Sequence, residues 1–159
     1  MHKTLAIVDA DVLIYISMLK VSDQETVFKF LSEEYNIDKI WIPQTVLQEV
    51  GHKVFEAIKK DSKPYISVEV CPIHDRYLRL KVKVKCGIGR GESDGIMQIL
   101  KVLDMGSGAK RRYNISFLKP KFVSNDRKAI SCKRVLNNSI PWKSLANELL
   151  VFYGVNVLS

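Results

Sequence analysis

The chain has 159 residues, 47% of them hydrophobic and 26% charged, with only 8 glycines and 5 prolines. That is enough sequence for a single domain over residues 1–159 with a sizeable core, and too apolar a composition for disorder. A formal charge of +8 points toward a polyanionic partner, because a basic surface gains free energy by releasing counterions from phosphates.

Cys71, Cys86 and Cys132 are widely spaced and odd in number. They support neither a disulfide framework nor a zinc site, and they suit a reducing cytoplasm. The apolar stretch over 1–20 carries Asp9 and Asp11 in its middle, which would disrupt a signal-peptide core or a membrane span. No other run is long and apolar enough to cross a bilayer, so no membrane partner is expected.

In chain order, the fully apolar run over 5–8 predicts a short strand at the centre of a parallel sheet. Residues 23–35 predict a helix with an acidic start and Val27, Phe28, Leu31 and Tyr35 on one face. A second strand over 39–42 stops at Pro43. A helix follows over 45–60 with Leu47, Val50, Val54 and Ile58 as its core stripe, and 66–70 is a third strand. Over 72–90 a strand period (Leu78, Leu80, Val82, Val84) competes with a helix capped by Asp75; the regular strand–helix alternation elsewhere favours the helix. Gly91 introduces a helix over 92–104. The Gly-rich, basic stretch 106–112 reads as a mobile loop. Residues 121–124 predict a fourth strand, 127–136 a helix, and 142–153 a last helix before a short terminal strand. Strands alternating with helices imply an α/β fold, a three-layer α/β/α sandwich around a mostly parallel sheet.

In open parallel sheets, ligands bind at the carboxyl ends of the strands. Asp9 directly follows the first strand and Asp126 follows the fourth after Ser124 and Asn125, so parallel strands bring both carboxylates to one edge. Each aspartate is also a natural helix N-cap. Glu49 lies one turn into the helix after the second strand, with pairing to Lys53 as its plainer role. Gly89-Arg90-Gly91-Glu92-Ser93-Asp94 supplies two more acids. The core-facing series running back from Leu103 through Ile99 and Ile96 leads to Glu92, which is therefore preferred as the inner ligand, with Asp94 close behind. After Asp104 the only acids are Asp126 and Glu148, among Lys110, Arg111, Arg112, Lys119, Lys121, Arg127 and Lys128. An acidic pocket in a basic surround suits hydrolysis of a polyanion with Mg²⁺ or Mn²⁺, which take hard oxygen ligands. Two carboxylates about 5 Å apart repel by roughly 3 kcal/mol at an effective dielectric of about 20. Several converging on one pocket therefore call for a cation. Lys110, Arg111, Arg112 and Arg127 are candidates to hold phosphates, and Ser124 and Asn125 to hold a water or the scissile phosphate, or simply to build the turn.

Four stretches in this order, Ile7-Val8-Asp9-Ala10-Asp11-Val12-Leu13-Ile14, Val46-Leu47-Gln48-Glu49-Val50, Gly91-Glu92-Ser93-Asp94-Gly95-Ile96 and Val123-Ser124-Asn125-Asp126-Arg127, resemble the PIN-domain family over nearly the whole chain. The Gly-x-Gly-Glu-Ser-acid form looks closest to its prokaryotic members. The resemblance implies a parallel sheet between helices and a Mg²⁺- or Mn²⁺-dependent endoribonuclease. Asp9, Glu49, Glu92, Asp94 and Asp126 would bind the metal, and the products would carry a 5′-phosphate and a 3′-hydroxyl. It also suggests RNA as substrate, a toxin–antitoxin pairing with an antitoxin protein, and a homodimer. Asp11 departs from the family pattern, as a fifth ligand or a cap, and 106–112 is longer and more basic than expected.

Two other readings compete. Ala6-Ile7-Val8-Asp9-Ala10-Asp11-Val12 resembles the first motif of haloacid-dehalogenase-type phosphohydrolases, with Asp9 as nucleophile and Asp11 as acid/base. That family needs a later acidic residue, and none occurs over 127–147. The other reading is a PIN-like module that binds RNA or protein without cutting. Histidine-based cleavage has little support, because His2, His52 and His74 stand in separate surface contexts. The aromatics, Phe28, Phe55 and Phe152 among them, read as core, leaving no stacking platform for single strands.

Overall fold

The computed structural model describes residues 3–135 and 137–157. Lys3–Val8 (β1) leads into Ala10–Ser17 (α1) and Val21–Tyr35 (α2); Ile37–Ile42 (β2) leads into Gln44–Val50 (α3), His52–Ser62 (α4) and Ser67–Val70 (β3). Arg76–Cys86 (α5), Arg90–Leu103 (α6) and Ser107–Arg112 (α7) precede Leu118–Ser124 (β4), Arg127–Ile130 (α8), Ser139–Pro141 (β5) and Trp142–Tyr153 (α9).

The five strands form one sheet in the order β3-β2-β1-β4-β5, and every pairing is parallel. Helices cover both faces, giving an α/β/α sandwich. This explains the unbroken apolar run of β1. Ala6 and Val8 join a core with residues of α1, α2, α4 and α9. Leu5 and Ile7 face the opposite way, into a core with α5 and α6. The chain builds outward from β1 through β2 to β3, then returns to add β4 and β5 on the other side. The crevice between β1 and β4 is thus the topological switch point, where parallel sheets accommodate ligands.

Helix α6 is pressed closely onto this crevice. At Gly95 a methyl group would collide with the Phe122 ring of β4, with Phe122 Cδ1 at 3.0 Å, so only glycine permits the approach.

Several expectations are corrected. The helix expected over 45–60 is divided at Gly51, whose φ of 87° favours glycine. The turn buries Val46, Phe55 and Ile58, while Leu47, Val50 and Val54 pack only partly against them. Over 106–112 the chain forms α7, which closes with the Ile115 amide donating to the Lys110 carbonyl at 2.9 Å. The helix expected over 127–136 ends at Ile130, and β5 lies beyond it; Pro141 is tolerated because β5 is an edge strand. Residue 136 lies outside the described residues, as do 158–159. Residues 154–157 form no strand, although Val155 and Val157 are buried. Phe152 is 74% exposed and so is not a core residue. The competing readings over 72–90 resolve to helix α5, with the Asp75 side chain accepting from the Leu78 amide at 2.9 Å.

Cys86 and Cys132 form a disulfide across a Cα–Cα distance of 5.7 Å, against the expectation of unpaired cysteines; Cys71 is free and buried. Among the described residues, no helix is long and apolar enough to cross a membrane.

Replacing Gly95 by alanine forces α6 and Phe122 apart and should destabilise the protein by about 1–3 kcal/mol, as overpacking typically does. Denaturant melts check this, and the smaller ring site of a Gly95→Ala/Phe122→Leu double variant should recover part of the loss.

Candidate functional site

Asp9 is the first residue past β1, and its amide still bonds the Val123 carbonyl of β4 at 3.1 Å. Its carboxylate is almost fully enclosed, at 4% exposure. One oxygen caps α1, accepting from the Ala10 amide at 2.6 Å. The other accepts from Ser124 Oγ at 2.7 Å. The same hydroxyl oxygen accepts the Asp126 amide at 3.0 Å. Ser124, fully buried at the end of β4, therefore ties the first acid to the backbone of the second across the switch crevice. Asp126 in turn caps α8, its Oδ1 accepting from Lys128 and Ala129 amides at 2.8 and 3.2 Å.

Glu92 enters from the first turn of α6. Its carboxyl is pushed up to about 7, first by burial and then by the charges of Asp9 and Asp126 and a hydrogen bond with the Asp126 carboxyl. Asp9 is also raised, chiefly by burial, with Asp11 and Asp126 adding to it against the bonds from Ser124 and Ala10. These mutual effects mark Asp9, Glu92 and Asp126 as one electrostatic cluster. Asp11, exposed on α1, borders it.

The two glycines before Glu92 have a steric purpose. A methyl at Gly89 would lie 2.6 Å from Glu92 Oε2, and one at Gly91 would lie 3.1 Å from Glu49 Oε1 and 3.4 Å from Val46 Cγ2. Gly-x-Gly thus lets two acidic side chains lie over the start of α6. Glu49, exposed on α3, is in this way held beside the residue preceding Glu92.

Asp94 faces elsewhere. Its Oδ2 accepts from Thr45 Oγ1 at 2.7 Å and the Thr45 amide at 3.3 Å, and its Oδ1 accepts from Gln98 Nε2 at 3.3 Å. These bonds fasten α6 to the start of α3, so of the two acids Glu92 is the one turned to the cluster. Glu148 accepts a hydrogen bond from the Tyr35 hydroxyl.

Asn125 and Arg127 line a cleft of ≈ 610 Å³ beside Asp126, together with Ser124, Pro141, Lys143 and Asn147. On the other flank, Arg76, Arg79, Arg90 and His74 line a second, ≈ 160 Å³ pocket that reaches Asp94. Among the described residues no carboxylate lies within ion-pair distance of Arg90, Arg127 or Lys143, so their charge is free to meet an anion. Lys143 and Asn147 lie on α9 and reach the cleft because β5, too short to show a period in the sequence, sets the start of that helix beside β4. Lys110, Arg111 and Arg112 do not join the site. They precede the start of β4, at the amino edge of the sheet, with the 14-residue α6 between them and Glu92; that helix spans about 21 Å. His52 and His74 are exposed, and His2 lies outside the described residues.

By donor type, the cluster suits a hard cation: every candidate ligand is a carboxylate oxygen. By spacing it is looser, since among the described residues no three acidic, histidine or cysteine side chains converge closely enough to hold a metal ion as they stand. The chain matches no family model, no curated protein and no solved structure.

Two outcomes test this geometry. Because the Glu92 carboxyl is raised in the folded protein, the stability it contributes is fully present below about pH 4.5 and is lost as pH rises through about 7. Relative to wild type, Glu92→Gln should therefore gain thermal stability progressively across that window; a difference that stays constant with pH would contradict the cluster. Ser124→Ala should cost about 1.5–3 kcal/mol, the worth of a hydrogen bond to a charged group, and should raise the Asp9 carboxyl further, as followed by carboxyl NMR titration.

Proposed function

We propose that this protein is a divalent-metal-dependent endoribonuclease whose site is the carboxylate cluster of Asp9, Glu92 and Asp126, with Glu49 alongside. The observation that carries the reading is the seating of Asp9 and Asp126 on one Ser124 hydroxyl at the switch crevice, with Glu92 close enough to feel the charge of both. Such like-charge crowding costs free energy unless protons or cations enter it. The four motifs that resemble the PIN-domain family contain these same residues.

Bound Mg²⁺ or Mn²⁺ would supply an activated water and neutralise charge on the attacked phosphate. The chain's own residues do the rest. Ser124 fixes the orientation of Asp9. Arg127 and Lys143 hold flanking phosphates in the cleft, and Arg90 does so on the opposite flank. Glu92, raised to about 7, would give up its proton to hold the metal beside Asp9 and Asp126, and solvent would protonate the leaving oxygen. The products are a 5′-phosphate and a 3′-hydroxyl. The cytoplasm is the natural setting for this activity, and thiol–disulfide exchange there would set the state of Cys86 and Cys132. An antitoxin partner and a homodimer belong to the same proposal, resting on the resemblance alone.

A second reading, RNA binding without cleavage, is favoured by the open spacing of the carboxylates. The phosphohydrolase reading is disfavoured, because both Asp9 oxygens are engaged and the side chain is enclosed, which suits a ligand or orienting group better than a nucleophile.

The test is cleavage of labelled single-stranded RNA with and without Mg²⁺ or Mn²⁺, beside a small phosphate ester. Metal-dependent cleavage leaving 5′-phosphate ends should fall a hundredfold or more in Asp9→Asn and Asp126→Asn, a loss typical of removing a transition-state-stabilising group. Asp94→Asn, which keeps the acceptor for Thr45, should change it by much less. RNA binding without cleavage under every metal condition would establish the second reading, and turnover of the ester alone would restore the phosphohydrolase.

A further inference from the structure

The amino edge of the sheet carries a feature that the carboxylate cluster does not use. The Leu118 amide donates to the Ile115 carbonyl at 3.2 Å, closing a tight turn with Phe117 at its third position. Phe117 has φ 64°, and Ser116 is not among the positive-φ residues. That pattern defines a turn which normally takes glycine or asparagine at this position. A bulky side chain in the left-handed region is a backbone outlier. Here it is also 90% exposed, so burial of the ring does not compensate the strain within the chain. Outliers of this kind are held by the surrounding structure and cluster at ligand clamps and active sites.

The ring forms one wall of a cleft of ≈ 300 Å³ completed by Met105, Ser107, Lys110, Arg111 and Ser116. Among the described residues no carboxylate lies within ion-pair distance of Lys110 or Arg111. An apolar ring face beside two uncompensated cations is complementary to an unpaired base and its adjoining phosphates. An acidic peptide would meet the cations but would not need a flat ring held out at a strained turn.

We propose that Phe117, Lys110 and Arg111 form a second nucleic-acid site that stacks an unpaired base on Phe117 and holds its flanking phosphates, at the sheet edge opposite the carboxylate cluster. It extends the nuclease reading by giving the substrate strand a remote anchor, yet its ligand class rests on its own ring and cations. The stretch 106–112 is thus an RNA contact, but one that lies away from the reacting phosphate.

The test is fluorescence anisotropy of a labelled single-stranded RNA with the full chain in EDTA, so that the result does not depend on cleavage. Phe117→Gly should weaken binding roughly fivefold or more, the usual loss for one stacked base. The same variant should melt at a higher temperature, because glycine relieves the left-handed strain. Phe117→Tyr should bind as wild type. Lys110→Ala/Arg111→Ala should lower the salt dependence of binding by about 0.7 per cation removed, and an RNA bearing an abasic tract should bind wild type and Phe117→Gly equally. Unchanged affinity in both the ring and the cation variants would overturn the proposal. So would a Phe117→Gly variant whose only change is in self-association measured by sedimentation, since the ring would then be a protein contact.

Discussion

Asp9 and Asp126 must leave neighbouring parallel strands at the same height, and one buried hydroxyl determines how they do so. Ser124 donates to Asp9 Oδ2 and accepts from the Asp126 amide, so it sets both the separation and the orientation of the two acids across the switch crevice. Both aspartates also cap the helices that follow. Their positions are fixed by backbone geometry as well as by charge, which lets the sheet edge tolerate repulsion that free side chains would relax by turning away. Glu92 meets this fixed pair from α6, and protonation of its carboxyl, raised to about 7, is one means of relieving the crowding. A cation is the other means of relieving the same repulsion.

The close seating of α6 follows from its glycines. Gly95 admits the Phe122 ring, Gly91 admits the Glu49 carboxylate, and Gly89 leaves room for Glu92. Each is a steric permission, and together they bring acids from α3 and α6 to an edge supplied by β1 and β4. Cations occupy the two flanks of that edge, while a separate set, Lys110 and Arg111, stands at the opposite edge beside Phe117. The net charge of +8 is therefore distributed around the acidic centre rather than concentrated in one loop.

The apolar run of β1, buried on both faces, and the shorter apolar clusters of β2 to β4 made these strands legible, and the carboxylates following β1 and β4 could be placed at one edge from chain order alone. The series that led back to Glu92 does not hold as a core face, since Leu103 is 49% exposed and Asp94 is the buried acid; what turns Asp94 away is its bonding to Thr45 and Gln98. Other features needed three dimensions. Gly51 divides α3 from α4 by its backbone conformation, which hydrophobic spacing does not register. Two glycines concealed α7, and β5 is too short and polar to announce itself. The Cys86–Cys132 pairing depends on α5 and the turn after α8 lying together, which no spacing along the chain reveals. Charge alone groups Lys110, Arg111 and Arg112 with the acidic site, yet the length of α6 carries them to the other edge. An aromatic in sequence reads as core, and only a left-handed backbone and exposure distinguish Phe117.

Calorimetric titration of Mn²⁺ into the protein near pH 7, repeated in buffers of different ionisation enthalpy, tests the cluster most directly. The Glu92 carboxyl is raised to about 7, so a cation that takes it as a ligand must displace a proton, and metal binding should release protons. Both the binding and the release should disappear in Asp9→Asn and Asp126→Asn while persisting in Asp94→Asn. Binding without proton release, or binding untouched by the Asp9 and Asp126 substitutions, would show that the carboxylates at the switch crevice are not a metal site.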